Sequence, residues 1–281
     1  MEINVGCKLR YQMAQPTGFV FLIEAAKADS QRVLWEELLI PAGSAATAYA
    51  SYSDPVTLTR KVRTMLDAGP VEVSYRATVD VDTTGFDPQS VHEFDFATMP
   101  MEFLEYIAPS RYCPSDTFTE FAGNEFGGLP RGYQRVQAIT DWIHHNIGYQ
   151  SGSTGPTTTA ADVFQSGQGV CRDFAHLGIA LCRAVGVPAR YASVYADGLV
   201  PQDFHAVFQA YLNGPKGGEW FTFDLTRMSS ADFVVRIAAG RDAADVAFAW
   251  PQGEVGSEPP EVFVEAVGRP NKERTELAVG N

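Results

Sequence analysis

Gly169-Val170-Cys171-Arg172-Asp173-Phe174-Ala175-His176-Leu177 sets a cysteine at the predicted first turn of a buried helix. The run before it, Ser166-Gly167-Gln168-Gly169, is too rich in turn formers to be helix interior. After it, Phe174, Ala175, Leu177, Gly178, Ile179, Leu181, Cys182 and Val185 give a mostly apolar helix, which Gly186 and Pro188 stop. A thiol in that position meets unpaired backbone N–H groups and the positive end of the helix dipole, with Arg172 adjacent. All three favour the thiolate, the nucleophilic form. The competing assignment is a small buried filler, a common use of free cysteine.

Two strand-like runs further along supply partners. Asp203-Phe204-His205-Ala206-Val207-Phe208-Gln209-Ala210-Tyr211-Leu212 and Glu219-Trp220-Phe221-Thr222-Phe223-Asp224-Leu225 flank Asn213-Gly214-Pro215-Lys216-Gly217-Gly218, a strong turn signal. They read as a β-hairpin. Alternation puts Phe204, Ala206, Phe208, Ala210 and Leu212 on one face and His205, Val207, Gln209 and Tyr211 on the other. If His205 and Asp224 are directly opposite, the turn centres within Gly214-Pro215. Centring the turn on Asn213–Gly218 instead leaves the two within diagonal reach. A base and a carboxylate on one face, together with a helix-start cysteine, form a Cys–His–Asp set: nucleophile, proton carrier and the group that orients the imidazole.

These segments, with Ala184-Val185-Gly186-Val187-Pro188-Ala189-Arg190-Tyr191 and Phe223-Asp224-Leu225-Thr226, resemble the transglutaminase-like superfamily, in particular its bacterial cysteine-protease branch. Tyr106-Ile107-Ala108-Pro109-Ser110-Arg111-Tyr112-Cys113, Trp142-Ile143-His144-His145-Asn146-Ile147-Gly148-Tyr149 and Gly240-Arg241-Asp242-Ala243-Ala244-Asp245-Val246 extend the resemblance over roughly residues 100 to 250. It implies a papain-like α+β core with Cys171 as nucleophile, His205 as base and Asp224 as orienter, preceded by a β-rich domain.

The remainder of the chain fits that plan. Residues 3–14, 18–26, 31–40, 56–63, 70–82 and 91–96 read as strands, and their regular turn signals predict an antiparallel β-sandwich. Met99–Ala108, a short helix opened by Ser115 as N-cap, Gly132–Ile147 and Ala160–Gln165 read as helices. The expected fold class is α+β, with a sandwich domain at 1–99, a transglutaminase-like catalytic domain at 100–251 and an acidic Pro/Gly-rich tail at 252–281.

A net charge of −13 over 281 residues argues against nucleic acid and anionic membranes as partners, and 45% hydrophobic residues are ample for real cores. There is no run of eighteen apolar residues, and the start Met1-Glu2-Ile3-Asn4-Val5 lacks a basic and apolar leader pattern. The expected location is therefore the cytoplasm. Cys7, Cys113, Cys171 and Cys182 show no disulfide spacing.

Weaker site candidates surround the triad. The backbone N–H of Cys171 is one oxyanion donor, and Gln168, Tyr149 or Asn146 could supply a second. Trp220 and Tyr149 are candidate walls of the substrate cleft, with core packing the competing role for Trp220. Arg172 and Asp173 more plausibly tie the helix to neighbouring loops, and His176 packs locally. No metal or other cofactor is expected: there is no CxxC or HExxH, and His144 and His145 cannot face one way on a helix. The functional expectation is a cysteine enzyme that cleaves peptide or side-chain amide bonds of a protein or peptide substrate through a thioester. Crosslinking to an amine acceptor and a non-catalytic scaffold are the alternatives.

Overall fold

The computed structural model describes residues 1–41 and 49–267. Near-perfect alternation builds the first two long strands. In β1 (Glu2–Met13) the residues Ile3, Val5, Cys7, Leu9, Tyr11 and Met13 are buried. β2 (Thr17–Phe21) and β3 (Gln31–Leu39) follow. β4 (Ala50–Ser53), β5 (Arg60–Leu66) and β6 (Gly69–Val81) complete the N-terminal set. β1 and β6 are antiparallel with Ile3 opposite Val79 and Cys7 opposite Tyr75, so both buried rows face the same way. Sheet order is β1-β6-β3 in one layer and β2-β5-β4 in the other. Tyr11 packs on Phe19 and Phe21 across the gap, with ring centroids 4.9 and 6.1 Å apart, which makes the two layers a sandwich.

The second body is built on helices α1 (Thr119–Phe126), α2 (Tyr133–Asn146), α3 (Ala160–Ser166) and α4 (Cys171–Ala184). A two-residue parallel pair, β7 (Gly148–Tyr149) and β8 (Gln168–Gly169), lies just ahead of α4. β9 (Ala189–Ala196), β10 (Phe204–Gly214), β11 (Gly217–Phe223) and β12 (Val234–Gly240) form an antiparallel sheet in the order β11-β10-β9-β12. Eleven residues of α4 are buried. Its Gly178 fits against Phe208 of β10 and Leu225, where an added Cβ would lie 3.0–3.1 Å from their side chains.

The chain then returns to the sandwich. β13 (Ala249–Pro251) pairs with β2, while β14 (Gly256–Ser257) and β15 (Glu261–Ala266) pair with β1 on the edge opposite β6. The expected tail at 252–281 is therefore wrong for residues 252–267, and residues 268–281 lie outside the described residues. Val262, Val264 and Ala266 are buried, a period-two pattern that the preceding Pro259-Pro260 and the acidic composition obscure. The sandwich accordingly takes strands from both ends of the chain.

Other boundaries also move. Residues 91–96 are not a strand. His92 makes an isolated bridge to Asn213, and Glu93 pairs with the buried Arg135 of α2, so this segment belongs with the second body, ahead of the expected boundary near 100. The run expected at 18–26 ends as a strand at Phe21. Residues 22–26 continue as buried chain that bonds the second body, with Ala26 N–H donating to Arg236 O at 2.8 Å. The run expected at 56–63 is a turn followed by β5, because the Asp54 carboxylate accepts the N–H groups of Val56 and Thr57 at 3.0 and 2.7 Å. Met101–Tyr106 is 3₁₀ rather than α-helix, and Pro114, not Ser115, precedes the helix that Ser115 begins.

Gly6 lies in β1 directly beneath the Phe263 ring. A Cβ there would come within 2.3–2.5 Å of that ring and of the Tyr75 carbonyl oxygen. Gly6→Ala is expected to destabilise the protein by about 2 kcal/mol through overpacking, read as a lowered urea midpoint with an unchanged slope.

Candidate active site

The first turn of α4 is closed from within. Asp173 is fully buried and accepts the Val170 N–H at 3.0 Å, the Thr154 hydroxyl at 2.5 Å and Arg172 Nη2 at 2.9 Å. Gly169 makes room for this, since a Cβ on it would sit 2.9 Å from the Asp173 Cβ. Arg172 also donates to the Gly155 carbonyl at 2.7 Å, fastening the 150s loop to the helix start. As expected, Arg172 and Asp173 hold loops, and Cys171 stays partly exposed beside them.

His205 is the second residue of β10 and is 3% exposed. Its Nε2 lies 3.1 Å from Asp224 Oδ2, and the ring is also hydrogen-bonded to the Cys171 thiol. Nδ1 is thus the ring nitrogen left for the sulfur. Phe208 stands opposite Phe223 and Gly214 opposite Gly217, so Asp224, the first residue beyond β11, meets His205 diagonally. The wider turn is the one adopted. Asp224 is held in turn by Thr226, whose N–H and hydroxyl reach Oδ1 at 3.0 and 2.7 Å, and by the Ser229 N–H on Oδ2 at 3.0 Å. The Asp-x-Thr spacing after a strand is an Asx-turn signal, from which Thr226 was recoverable.

The electrostatics follow from these contacts. Burial works against charge on His205, but its hydrogen bonds to Asp224 and Cys171 outweigh that and raise its pKa to about 10. Burial would also raise Asp224, yet the bond to His205 and the Thr226 and Ser229 donors hold it below the usual carboxylate range. Burial pushes Cys7 up to about 11, Cys113 to about 12 and Cys182 further still.

Tyr149, 43% exposed, stands at the mouth. β7 carries it beside Gly169, and its hydroxyl oxygen accepts the Cys171 N–H. Burial and the nearby Cys171 raise its pKa to about 12. Gln168 is not the side chain brought there. It is exposed, and its backbone N–H and C=O both bond the Ser166 hydroxyl. Trp220 does not wall the cleft either. Four residues before Asp224, or about 13 Å along a strand, it stacks under the Arg190 guanidinium at 3.9 Å and packs edge-on to Phe103 and Tyr106. His176 packs locally. It stacks on Tyr112, its Nε2 accepts the Ala243 N–H at 3.1 Å, and burial lowers its pKa to about 4. His144 and His145 are separately engaged, donating from Nδ1 to the carbonyls of Leu225 and Asp141.

The sequence and the fold have counterparts among known proteins. Residues 120–225 match the transglutaminase-like superfamily, and residues 1–100 match the bacterial transglutaminase N-terminal domain. A crystal structure from Cytophaga hutchinsonii, of a protein provisionally described as a cysteine protease, superposes with a TM-score of 0.85. It is 38% identical and covers 97% of this chain and 92% of its own. The chain belongs to the transglutaminase-like superfamily. An uncharacterised protein of Mycobacterium leprae is 27% identical over 192 residues, 65% of this chain and 68% of its own length. One from Mycobacterium tuberculosis is 31% identical over 146 residues, 47% and 46% respectively. The superfamily match at 120–225 takes in Cys171, His205 and Asp224 together, and the N-terminal match covers the sandwich strands up to β6.

The raised pKa of His205 has a measurable consequence. The folded ring holds its proton more tightly than an unfolded histidine at about 6.5. The resulting stabilisation is complete below pH 6.5 and disappears as the pH rises through about 10. A His205 ring-proton NMR titration is expected to show imidazolium up to about pH 9 in the wild type, with the midpoint displaced downward in Asp224→Asn.

Proposed function

We propose that this chain is a cysteine hydrolase that cleaves amide bonds by acyl transfer through Cys171. The observation that carries the reading is His205, placed between the Asp224 carboxylate on Nε2 and the Cys171 thiol on its other side. The description of the Cytophaga hutchinsonii relative as a cysteine protease favours hydrolysis over crosslinking.

In this mechanism the Cys171 sulfur, as thiolate beside the His205 imidazolium, attacks the carbon of a substrate amide. The developing oxyanion takes the Cys171 N–H, displacing the Tyr149 hydroxyl oxygen that the N–H meets in the free protein. The tetrahedral intermediate collapses with C–N cleavage, and His205 gives its proton to the departing amine. A thioester remains on Cys171. The now neutral His205 takes a proton from water as the water oxygen attacks the thioester carbon, and the C–S bond breaks to return the acid and the thiolate. Asp224 keeps the imidazole oriented and its positive form favoured throughout. The substrate is a protein or peptide presenting a backbone or side-chain amide.

A fluorogenic peptidyl-amide library tests this. Cys171→Ala and His205→Ala are expected to abolish turnover, and Asp224→Asn to lower kcat/KM on the order of a thousandfold. Iodoacetamide is expected to modify Cys171 rapidly at pH 6.5, a reaction lost in His205→Ala. Incorporation of dansylcadaverine into casein without amide hydrolysis would reassign the chain as a crosslinking enzyme. An unreactive Cys171 would point to the scaffold alternative.

A further inference from the structure

Asp203 lies two residues ahead of His205 at the entry to β10 and is partly exposed, whereas His205 is buried. Its Oδ1 accepts the Phe204 N–H at 2.7 Å, which pins the carboxylate at the strand entry instead of leaving it free to swing into solvent. Its charge acts on both His205 and Tyr149. Tyr149 and His205 both contact Cys171, so the carboxylate lies near both partners of the thiol.

The other charges around the thiol are already matched. Asp224 is paired with His205, Arg172 with Asp173, and Arg227 with Asp141. Among the described residues, none of the ion pairs includes Asp203. Partial burial raises its pKa, and the Phe204 N–H and the charge of His205 offset only part of that. A negative charge near a thiolate also opposes negative charge on the sulfur. A positive group carried in by the substrate would cancel that opposition.

We propose that Asp203 is a specificity residue that favours substrates carrying a lysine or arginine side chain beside the amide attacked by Cys171. The proposal rests on Cys171 being the nucleophile. The selected chemistry is a compact ammonium or a guanidinium, and selection occurs as the acyl donor enters, before any acceptor does.

The test uses three methanethiosulfonates that differ in charge: 2-aminoethyl (cationic), methyl (neutral) and 2-sulfonatoethyl (anionic). In each case the Cys171 thiolate attacks the sulfenyl sulfur, a disulfide forms and methanesulfinate leaves. Rates at Cys171, resolved by mass spectrometry, are divided by those of 2-mercaptoethanol with the same reagent. In the full wild-type chain at low salt, the normalised cation-to-anion ratio is expected to be about tenfold. Asp203→Asn is expected to bring it near one. Asp203→Glu should preserve it, which also guards against misfolding of the neutral variant. Glu120→Gln, an exposed charge elsewhere, should leave it unchanged.

A ratio that survives in Asp203→Asn would assign the preference to the overall charge of −13 and overturn the proposal. A wild-type ratio near one would overturn it as well. The neutral reagent reports separately on the nucleophile. If Cys171 is no faster with it than in His205→Ala, the functional reading fails and the proposal falls with it. A normal neutral rate with a flat charge ratio removes Asp203 selection alone.

Discussion

A helix buried along eleven of its fourteen residues must still satisfy the N–H groups of its first turn, where no carbonyl of its own is available. Here the demand falls on Asp173, buried with Thr154, Val170 and Arg172 as its donors. Once that carboxylate is engaged, the 150s loop, the β7–β8 pair and the start of α4 are one unit. Cys171 is then fixed in orientation, and Tyr149 is carried on to its backbone. Removing one partner from such a buried charged set costs more than losing an ordinary hydrogen bond, because the remaining charge is left without solvent. The Cys171 end of the helix is therefore held in place because its helix-capping problem is solved locally.

The second constraint is the contact between the two bodies. The Gln31 side chain behaves as one more residue of the β9–β12 sheet. Its Nε2 donates to the Arg236 carbonyl at 2.9 Å and its Oε1 accepts the Arg236 N–H at 2.8 Å. Thr59 does the same at Ala239, and the Tyr195 hydroxyl reaches the Ile23 carbonyl at 2.7 Å. The sandwich thus caps an edge of the sheet that carries His205. An open edge would be a template for another strand, and closing it with side chains avoids that.

Much of this was legible in the sequence because the signals were periodic. β1, β6, α2, α4 and the β10–β11 hairpin follow their apolar spacing, and the hairpin brings Asp224 within hydrogen-bond reach of His205. What was not legible depended on distant partners. β15 carries a sound alternating pattern, but its proline-rich approach made it read as a tail, and only pairing with β1 shows its place. Tyr149 and Gln168 are both polar residues near the cysteine, and the choice between them is made by the two-residue β7–β8 pairing, too short to leave a pattern. Trp220 shares a strand with Asp224, yet the Arg190 guanidinium draws it into a cluster away from the opening.

The placement of β15 also bears on how the protein comes into being. β1 lies between β6 on one side and β14 and β15 on the other, and these neighbours are made at very different times. Tyr75 of β6 is available early, whereas Val262 and Val264 lie some 250 residues after β1. During vectorial synthesis the whole second body must emerge before the last edge of β1 can be covered. For that interval the nascent sheet presents an apolar edge able to bind a strand of another chain. The ring of Phe263 over Gly6 is then a closing contact, made last, that withdraws this edge from competing partners.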